Sequence, residues 1–527
     1  MKNTIKNILN KTLNKNIVLE KPKDKKFGHF ATPVAFSMAK ELRKSPIKIA
    51  EDLAKQFSDM KEFSQVDAVK GYLNFHLNDD FLNSYADKSL NLGLDFGRAN
   101  KNEKILLEFV SANPTGPLHI GHTRGAVYGD TLLKLGLHLG YKIDAEYYLN
   151  DAGNQIFLLG NSIYLMGLKH IFKREITEPE ELYRGEYIID LAQEIADEFG
   201  EAIFTESNIK KISEIGTKKM IAEIQSNLNG VQIKFDYYVS EKSLYPKWEE
   251  SLKLLEKNSG VYKKDDKLWL KSTENGDEKD RVIVRDNGIP TYLAGDIIYH
   301  NNKFQRDYDK YINIWGADHH GYITRVKSAI DFLGYDSKKL EVLLTQMVSL
   351  LKDGKPYKMS KRAGTFILMR DVIDEVGADA IRFIFASKTP DTSLEFDLAD
   401  LTKEDSSNPV FYINYAHARI QSLLSKSEFS KDEILAEQFA KMDLEKKEIL
   451  FLALQLPEII EDSFESRQTQ KLTDYLQSLA SNFHSFYNKT KMVGVENEKT
   501  LLKISLVVAN SLKVGLSILG IQAKDRM

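Results

Sequence analysis

Five of the eleven histidines in this 527-residue chain stand at 119, 122, 300, 319 and 320. Metal ligation is the first chemistry to test. His119 and His122 can share one helix face, but His319 and His320 are adjacent and point apart, and Asp318 neighbours them only in sequence. There is no HExxH segment and no cysteine. The lack of cysteine excludes thiol nucleophiles, disulfide frameworks and cysteine-ligated zinc or iron–sulfur groups. No structural metal is expected. The second chemistry is phosphate binding. Pro117-Leu118-His119-Ile120-Gly121-His122 follows a strand and a turn. A helix beginning there would present unpaired N–H groups and its positive dipole end. Gly121 would let a flat ring or a phosphate approach the backbone, and both histidines could donate to phosphate oxygens. A simple turn and helix cap is the plainer reading of the same residues.

More than 200 residues later comes Lys355-Pro356-Tyr357-Lys358-Met359-Ser360-Lys361-Arg362-Ala363-Gly364-Thr365. Four cations crowd a segment that follows the apolar VLLTQMVSLL and ends in Gly-Thr. A run of charge is ordinarily a solvated face. Here the setting also suits a mobile cationic loop over developing phosphate charge.

These residues need elements to hold them. Residues 105–112 (ILLEFVSA) read as a buried strand, 121–139 as a helix and 142–148 as a second strand. Strand–turn–helix–strand opens a parallel α/β domain. Residues 187–280 read as an insertion, helical and then strand-and-turn, before α/β character resumes at Arg281. The expected architecture is multidomain. An α+β domain at 1–100, with a strand at Val69–Asn78, precedes a Rossmann-like parallel-sheet domain at 101–404. An all-α helical bundle follows at 405–527. Hydrophobic residues make up 42% of the chain, enough for large cores, and no stretch approaches 18 consecutive apolar residues, so no membrane span is expected. Nor is there a signal-peptide pattern, and the cytoplasm is the expected location. With 73 basic against 76 acidic residues, any nucleic-acid binding must come from local patches. Residues 1–30 carry eight lysines and two acidic residues.

The two segments together, HIGH at 119–122 and KMSK at 358–361, resemble the paired signatures of class I aminoacyl-tRNA synthetases without a substitution. Further stretches narrow the likeness: EFVSANPTGPLHIGHTRGAVYGD at 108–130, NDAGNQI at 150–156, STENGDEKDRVIVRDNGIPTYLAGDIIYH at 272–300, WGADHHGYITRVKSAI at 315–330 and NYAHARI at 414–420. All are similar to bacterial arginyl-tRNA synthetases, and the likeness runs along the whole chain.

The resemblance implies a five-stranded nucleotide-binding fold and two-step chemistry. Arginine is activated by ATP with Mg²⁺ to arginyl-adenylate, then transferred to the 3′-terminal adenosine of tRNA-Arg. His119, Gly121 and His122 would meet ATP. Lys358 and Lys361 would clamp the pyrophosphate, with Met359 and Ser360 shaping the loop. Glu108, Asn113, Asp151, Gln155, Tyr292, Asp296, Asp318 and His319 would form the arginine site, with His320 beside them. Taken alone, Glu108 is equally a strand-edge residue, and Asp296 a helix-capping or ion-pair residue. The family's N-terminal domain meets the corner of the tRNA, so Lys21, Lys23, Lys25 and Lys26 become candidate contacts, with solvation as the alternative. The helical domain implies anticodon binding. Tyr412, Tyr415, His417 and Arg419 lie in its first helix, where Tyr412 is either core or a base contact. A monomer is expected.

Overall fold

The computed structural model describes residues 1–22, 24–357 and 367–527. Lys23 and the second signature, Lys358, Met359, Ser360 and Lys361, lie outside the described residues. The chain forms two compact units, one of residues 100–403 and one of residues 1–99 with 404–527.

The first unit is built on a five-stranded sheet. Its strands are β1 (Lys104–Glu108), β2 (Lys142–Leu149), β3 (Tyr237–Ser240), β4 (Lys310–Gly316) and β5 (Leu340–Thr345). All four pairings are parallel, and the spatial order is 3-2-1-4-5. A parallel sheet covered on both faces demands apolar strands, and Ile105, Leu106, Leu107, Ile312 and Ile314 are buried. The order reverses at β1, so β1 and β4 splay at their carboxyl ends, where such sheets bind ligands. β3 lies inside the block read as an insertion. Residues 237–240 therefore belong to the central sheet, and that block does not run unbroken outside it.

The other unit joins both ends of the chain. A three-stranded antiparallel sheet orders Phe30–Thr32, Tyr72–Leu77 and Phe63–Val69 with Tyr72–Leu77 central. The strand read from Val69 to Asn78 is Tyr72–Leu77, and its start is corrected: Val69 ends the preceding strand, and the chain turns back at Lys70 (φ 52°) and Gly71 (φ 86°). Helices Pro409–Lys426, Leu444–Leu454, Leu456–Glu465, Gln470–Lys489 and Glu498–Ile518 make the C-terminal bundle. Glu498–Ile518 corrects the membrane reading in one respect: it is long and apolar enough to cross a bilayer. Counting consecutive apolar residues missed it because Lys503, Ser505, Asn510 and Ser511 interrupt the run. It is a core helix, and Lys503 is fully buried with Asp87 (2.7 Å) and Asn83 Oδ1 (3.0 Å) as partners.

Candidate active site

β1 ends at Glu108, and the chain then takes an unfavourable path. Val110 (φ 68°) and Ser111 (φ 41°) both occupy the left-handed region. A β-branched residue there is strained, and such strain gathers at functional sites. The turn delivers exposed Asn113 and then the helix Ile120–His138.

His119 caps that helix. The Gly121 N–H donates to His119 Nδ1 (3.1 Å), and the His119 N–H donates to His122 Nδ1 (3.4 Å). The two rings stack at 3.7 Å. Each Nδ1 is an acceptor, so each neutral ring carries its proton on Nε2. Burial lowers the pKa of His119, and burial with the neighbouring His119 lowers that of His122 to about 3. Both are therefore neutral donors at pH 7. The expectation of unpaired helix N–H groups needs correction. Ile120 N–H donates to Ile367 O (3.0 Å), Gly121 N–H to the His119 ring and His122 N–H to His119 O (2.9 Å). Buried amides require partners, and here the chain supplies them. Any phosphate contact falls to the imidazoles.

The Ile120–Ile367 bond also places the second signature's flank. Met369 N–H donates to Leu118 O (2.9 Å), so the residues following the described gap lie antiparallel to the first signature. Buried Arg124, one turn into the helix, donates to Gln346 O (2.9 Å) and Thr389 O (2.9 Å) and holds the segments leading to and from that region.

Carboxylates collect beside this edge, and they fall into two classes. Glu108 and Glu146 are neutralised internally. Lys303 Nζ donates to Glu108 Oε2 (2.5 Å) and to Asn313 Oδ1 (2.7 Å), and Ser111 Oγ donates to Glu108 Oε1 (2.9 Å). Arg306 pairs with Glu146 (2.5 Å), which also accepts from Tyr299 OH (2.7 Å). Asp296 and Glu241 differ: among the described residues, neither has an ion-pair partner. Asp296 Oδ2 accepts from Tyr322 OH (2.7 Å). Burial, with Glu241 and Glu108 nearby, raises its pKa to about 7 against that hydrogen bond and the nearby charge of Arg325. Glu241 Oε1 accepts from Tyr245 OH (2.9 Å), while its buried Oε2 has no hydrogen-bond partner. Burial raises its pKa too. Gly295 makes this proximity possible, because a Cβ there would lie 2.7 Å from Glu241 Oε1.

The remaining expected residues are placed as follows. Tyr292 is 56% exposed and reaches over Gly153, whose Cβ would stand 3.7 Å from its ring. Asp151 is committed locally, accepting from Ser240 Oγ (2.6 Å) and Lys242 N–H (3.0 Å). Gln155 donates to Asn150 O (2.9 Å) and Oδ1 (2.7 Å). Asp318 and His319 form an exposed pair (3.5 Å) beyond β4, and His320 is exposed beside them. Sequence reading missed Glu241 and Lys303.

In the other unit, Lys21 is exposed. Arg419 lies over the rings of Tyr415 (4.5 Å) and Tyr487 (4.7 Å), donates to Tyr415 OH (2.7 Å) and contacts His484 Nδ1 (3.1 Å). Tyr412 is half-buried, its ring 4.5 Å from that of His484. His417 contacts Lys524 O (3.0 Å), a tie to the chain's end.

Comparison with known proteins adds an independent line. Three family models match: an arginyl tRNA synthetase N terminal domain at residues 1–77, a class I (R) tRNA synthetase catalytic domain at 90–421, and a DALR anticodon binding domain at 413–527. The chain is 58% identical to an arginine–tRNA ligase of Wolinella succinogenes and 59% identical to one of Nitratiruptor, each over 100% of both chains. A crystal structure of an arginyl-tRNA synthetase from Campylobacter jejuni superposes with TM-score 0.83 at 53% identity, covering 86% of this chain and 100% of that one. The Thermus thermophilus arginyl-tRNA synthetase superposes with TM-score 0.75 at 20% identity over 100% of both chains, a likeness of fold.

Proposed function

The chain belongs to the arginyl-tRNA synthetases, the class I arginine–tRNA ligases, and we propose that Asp296 and Glu241 form the pocket that selects arginine. The observation that carries this reading is the pair of crowded carboxylates with no salt bridge among the described residues, Arg325 nearing Asp296 only from over the ring of Tyr322. The buried acids Glu108 and Glu146 are instead neutralised by Lys303 and Arg306. A guanidinium brings five donors in a rigid fork and suits carboxylate acceptors. Tyr322 and Tyr245 hold the acids in place, exposed Asn113 would anchor the α-amino group, and exposed Tyr292 would close against the side chain. Glu108 acts through its ion pair with Lys303 as a positioning residue.

ATP, carrying Mg²⁺ on its phosphates, meets the first signature. The neutral His119 and His122 donate from Nε2 to its phosphate oxygens, and Gly121 lies under the adenine ring. Lys358 and Lys361 supply positive charge to the pyrophosphate. The arginine carboxylate attacks the α-phosphorus and pyrophosphate leaves. The tRNA's terminal ribose hydroxyl then attacks the adenylate carbonyl and AMP leaves. No protein nucleophile is required; positioning and charge stabilisation carry the rate. We read the enzyme as a cytoplasmic monomer, with Arg419 and Tyr412 at the anticodon and Lys21 and Lys23 toward the body of the tRNA.

The test is amino-acid-dependent pyrophosphate exchange with each amino acid, with and without tRNA. Arginine alone should support exchange. Equal exchange with another amino acid would refute the specificity assigned to Asp296 and Glu241.

A further inference from the structure

Within the unit made by the two chain ends lies a cavity of about 360 Å³, inside the roughly 300–1,000 Å³ range of small-ligand pockets. Its wall starts at Gly28, where φ is +86° and a Cβ would come within 2.6 Å of Phe75 O. Glycine alone lets the chain turn there and present His29, which is only 7% exposed. Leu77 N–H donates to His29 Nδ1 (3.0 Å), so the neutral ring keeps its proton on Nε2. Burial holds this histidine down to about 4. Among the described residues, Nε2 has no hydrogen-bond partner, although the ring lines the cavity.

The other walls are of three kinds. Phe451, edge-on to His29 at 4.7 Å, forms an apolar surface with Ile449, Leu452 and Phe486. Ser478, Asn482, Ser485 and Lys489 recur along one face of the helix Gln470–Lys489. Asn482 donates to Ser478 O (2.8 Å), which leaves its carboxamide oxygen as an acceptor. Lys21 and Lys489 are exposed at the rim, and neither is ion-paired to a described residue. Glu445 and Glu448 also line the cavity, and Glu445 can accept from an exocyclic amine. A buried ring N–H donor, an aromatic wall, amide and carboxylate acceptors and two cations at the mouth together complement one nucleotide. The base supplies a face, ring acceptors and an amine, and the phosphodiester meets the lysines. Unstacked bases are what aromatic and polar side chains read in RNA.

We propose that this cavity receives one unstacked nucleotide of the bound tRNA, its base against Phe451 and His29 and its phosphate between Lys21 and Lys489. The proposal rests on tRNA being the substrate of this ligase. It adds a contact at which the N-terminal segment and the helical bundle hold one nucleotide jointly.

The test uses the full-length enzyme with a tRNA-Arg transcript. Ser485→Trp fills the mouth from an exposed position, and His29→Phe keeps the ring while removing the donor. Both should raise the KM for tRNA on the order of 10-fold, the worth of stacking a single base, with the KM values for arginine and ATP unmoved. One base shielded from chemical probing in the parent complex should become reactive with Ser485→Trp. Should His29→Phe fail to fold, Ser485→Trp decides alone. An unchanged tRNA KM with an unchanged footprint would overturn the proposal. So would AMP, CMP, GMP or UMP shifting the His29 resonances while tRNA affinity ignores both variants, because the cavity would then be a free-nucleotide site. A parent enzyme that charges no tRNA is a different result and would sink the ligase reading instead.

Discussion

Lys303 Nζ lies 2.5 Å from Glu108 Oε2, and neither side chain is more than 5% exposed. The pair joins the last residue of β1 to the helix Tyr292–Phe304, whose first two turns carry Tyr292 and Asp296. The ammonium also faces the Tyr299 ring at 4.6 Å. Two charges removed from water repay their desolvation only with good geometry and further hydrogen bonds, and Asn313 and Ser111 supply these.

Removing one partner strands the other. Lys303→Met should cost about 3–5 kcal/mol of stability, measured by urea unfolding. Glu108→Gln added to Lys303→Met should recover part of that loss. A double variant as unstable as the sum of the two singles would mean that the pair is not coupled.

Asp296 gives a pH dependence with a definite sign. Its pKa is raised from 3.8 to about 7, chiefly by burial. A carboxylate shifted upward contributes stability that is full below its unfolded pKa and is lost as pH rises through its folded one. The free enzyme therefore loses stability between about pH 4 and 7 through this group, and bound arginine should restore it. Arginine binds the ionised form, so its KM should fall from pH 6 to pH 8 with an inflection near 7. Asp296→Asn should flatten that profile and weaken arginine by about 2–5 kcal/mol, with a much smaller change for ATP. Equal damage to both substrates would refute the pocket assignment.

Glu241 should separate function from stability. Its buried Oε2 has no hydrogen-bond partner among the described residues, and a buried polar atom left unsatisfied costs about 1–3 kcal/mol. Glu241→Gln keeps an acceptor for Tyr245 and removes charge from a crowded acidic site. The melting temperature should hold or rise while the KM for arginine rises. Scanning calorimetry beside steady-state kinetics reads both. A fall in melting temperature with kinetics intact would make Glu241 structural.

Why the acidic pocket was only half visible in the sequence follows from how burial arises. Glu108, Asp296 and the first signature sit at the ends of strongly patterned elements, so motif and period found them together. Glu241 lies in SEKSLY, a short charged stretch that reads as surface. Its burial comes from Gly295 and the helix Tyr292–Phe304, more than 50 residues away in sequence. Lys303 near a helix C-terminus reads as a solvated cation complementing the dipole. β3 is four residues long, too short to show a period, and its partner β2 lies some 90 residues earlier. The hairpin at Lys70-Gly71 was hidden because alternation continues through the turn. In each case the deciding contact is non-local, and local pattern cannot carry it.

Arg419 is held as a reader would be held, without a carboxylate partner among the described residues. Its guanidinium lies over Tyr415 and Tyr487 and is hydrogen-bonded to Tyr415 OH and His484 Nδ1. His484 Nε2 in turn contacts Tyr412 O (3.3 Å), so one imidazole links the arginine to the backbone two turns earlier in the same helix. Burial lowers the His484 pKa, and Arg419 beside it lowers it further, so the ring is neutral and Nδ1 stays an acceptor at pH 7. Nothing here is a buried charge pair, so Arg419→Ala leaves no carboxylate stranded. The melting temperature should change little. The kcat/KM for tRNA-Arg should fall by about 1–3 kcal/mol, the worth of stacking a base or guanidinium plane. Arg419→Lys should fall nearly as far, because an ammonium replaces the planar fork between the rings. Charging of tRNA transcripts with altered anticodons separates the two remaining accounts. If the variant discriminates among them as the parent does, and only a lowered melting temperature explains its loss of charging, then Arg419 braces the helix and reads no base.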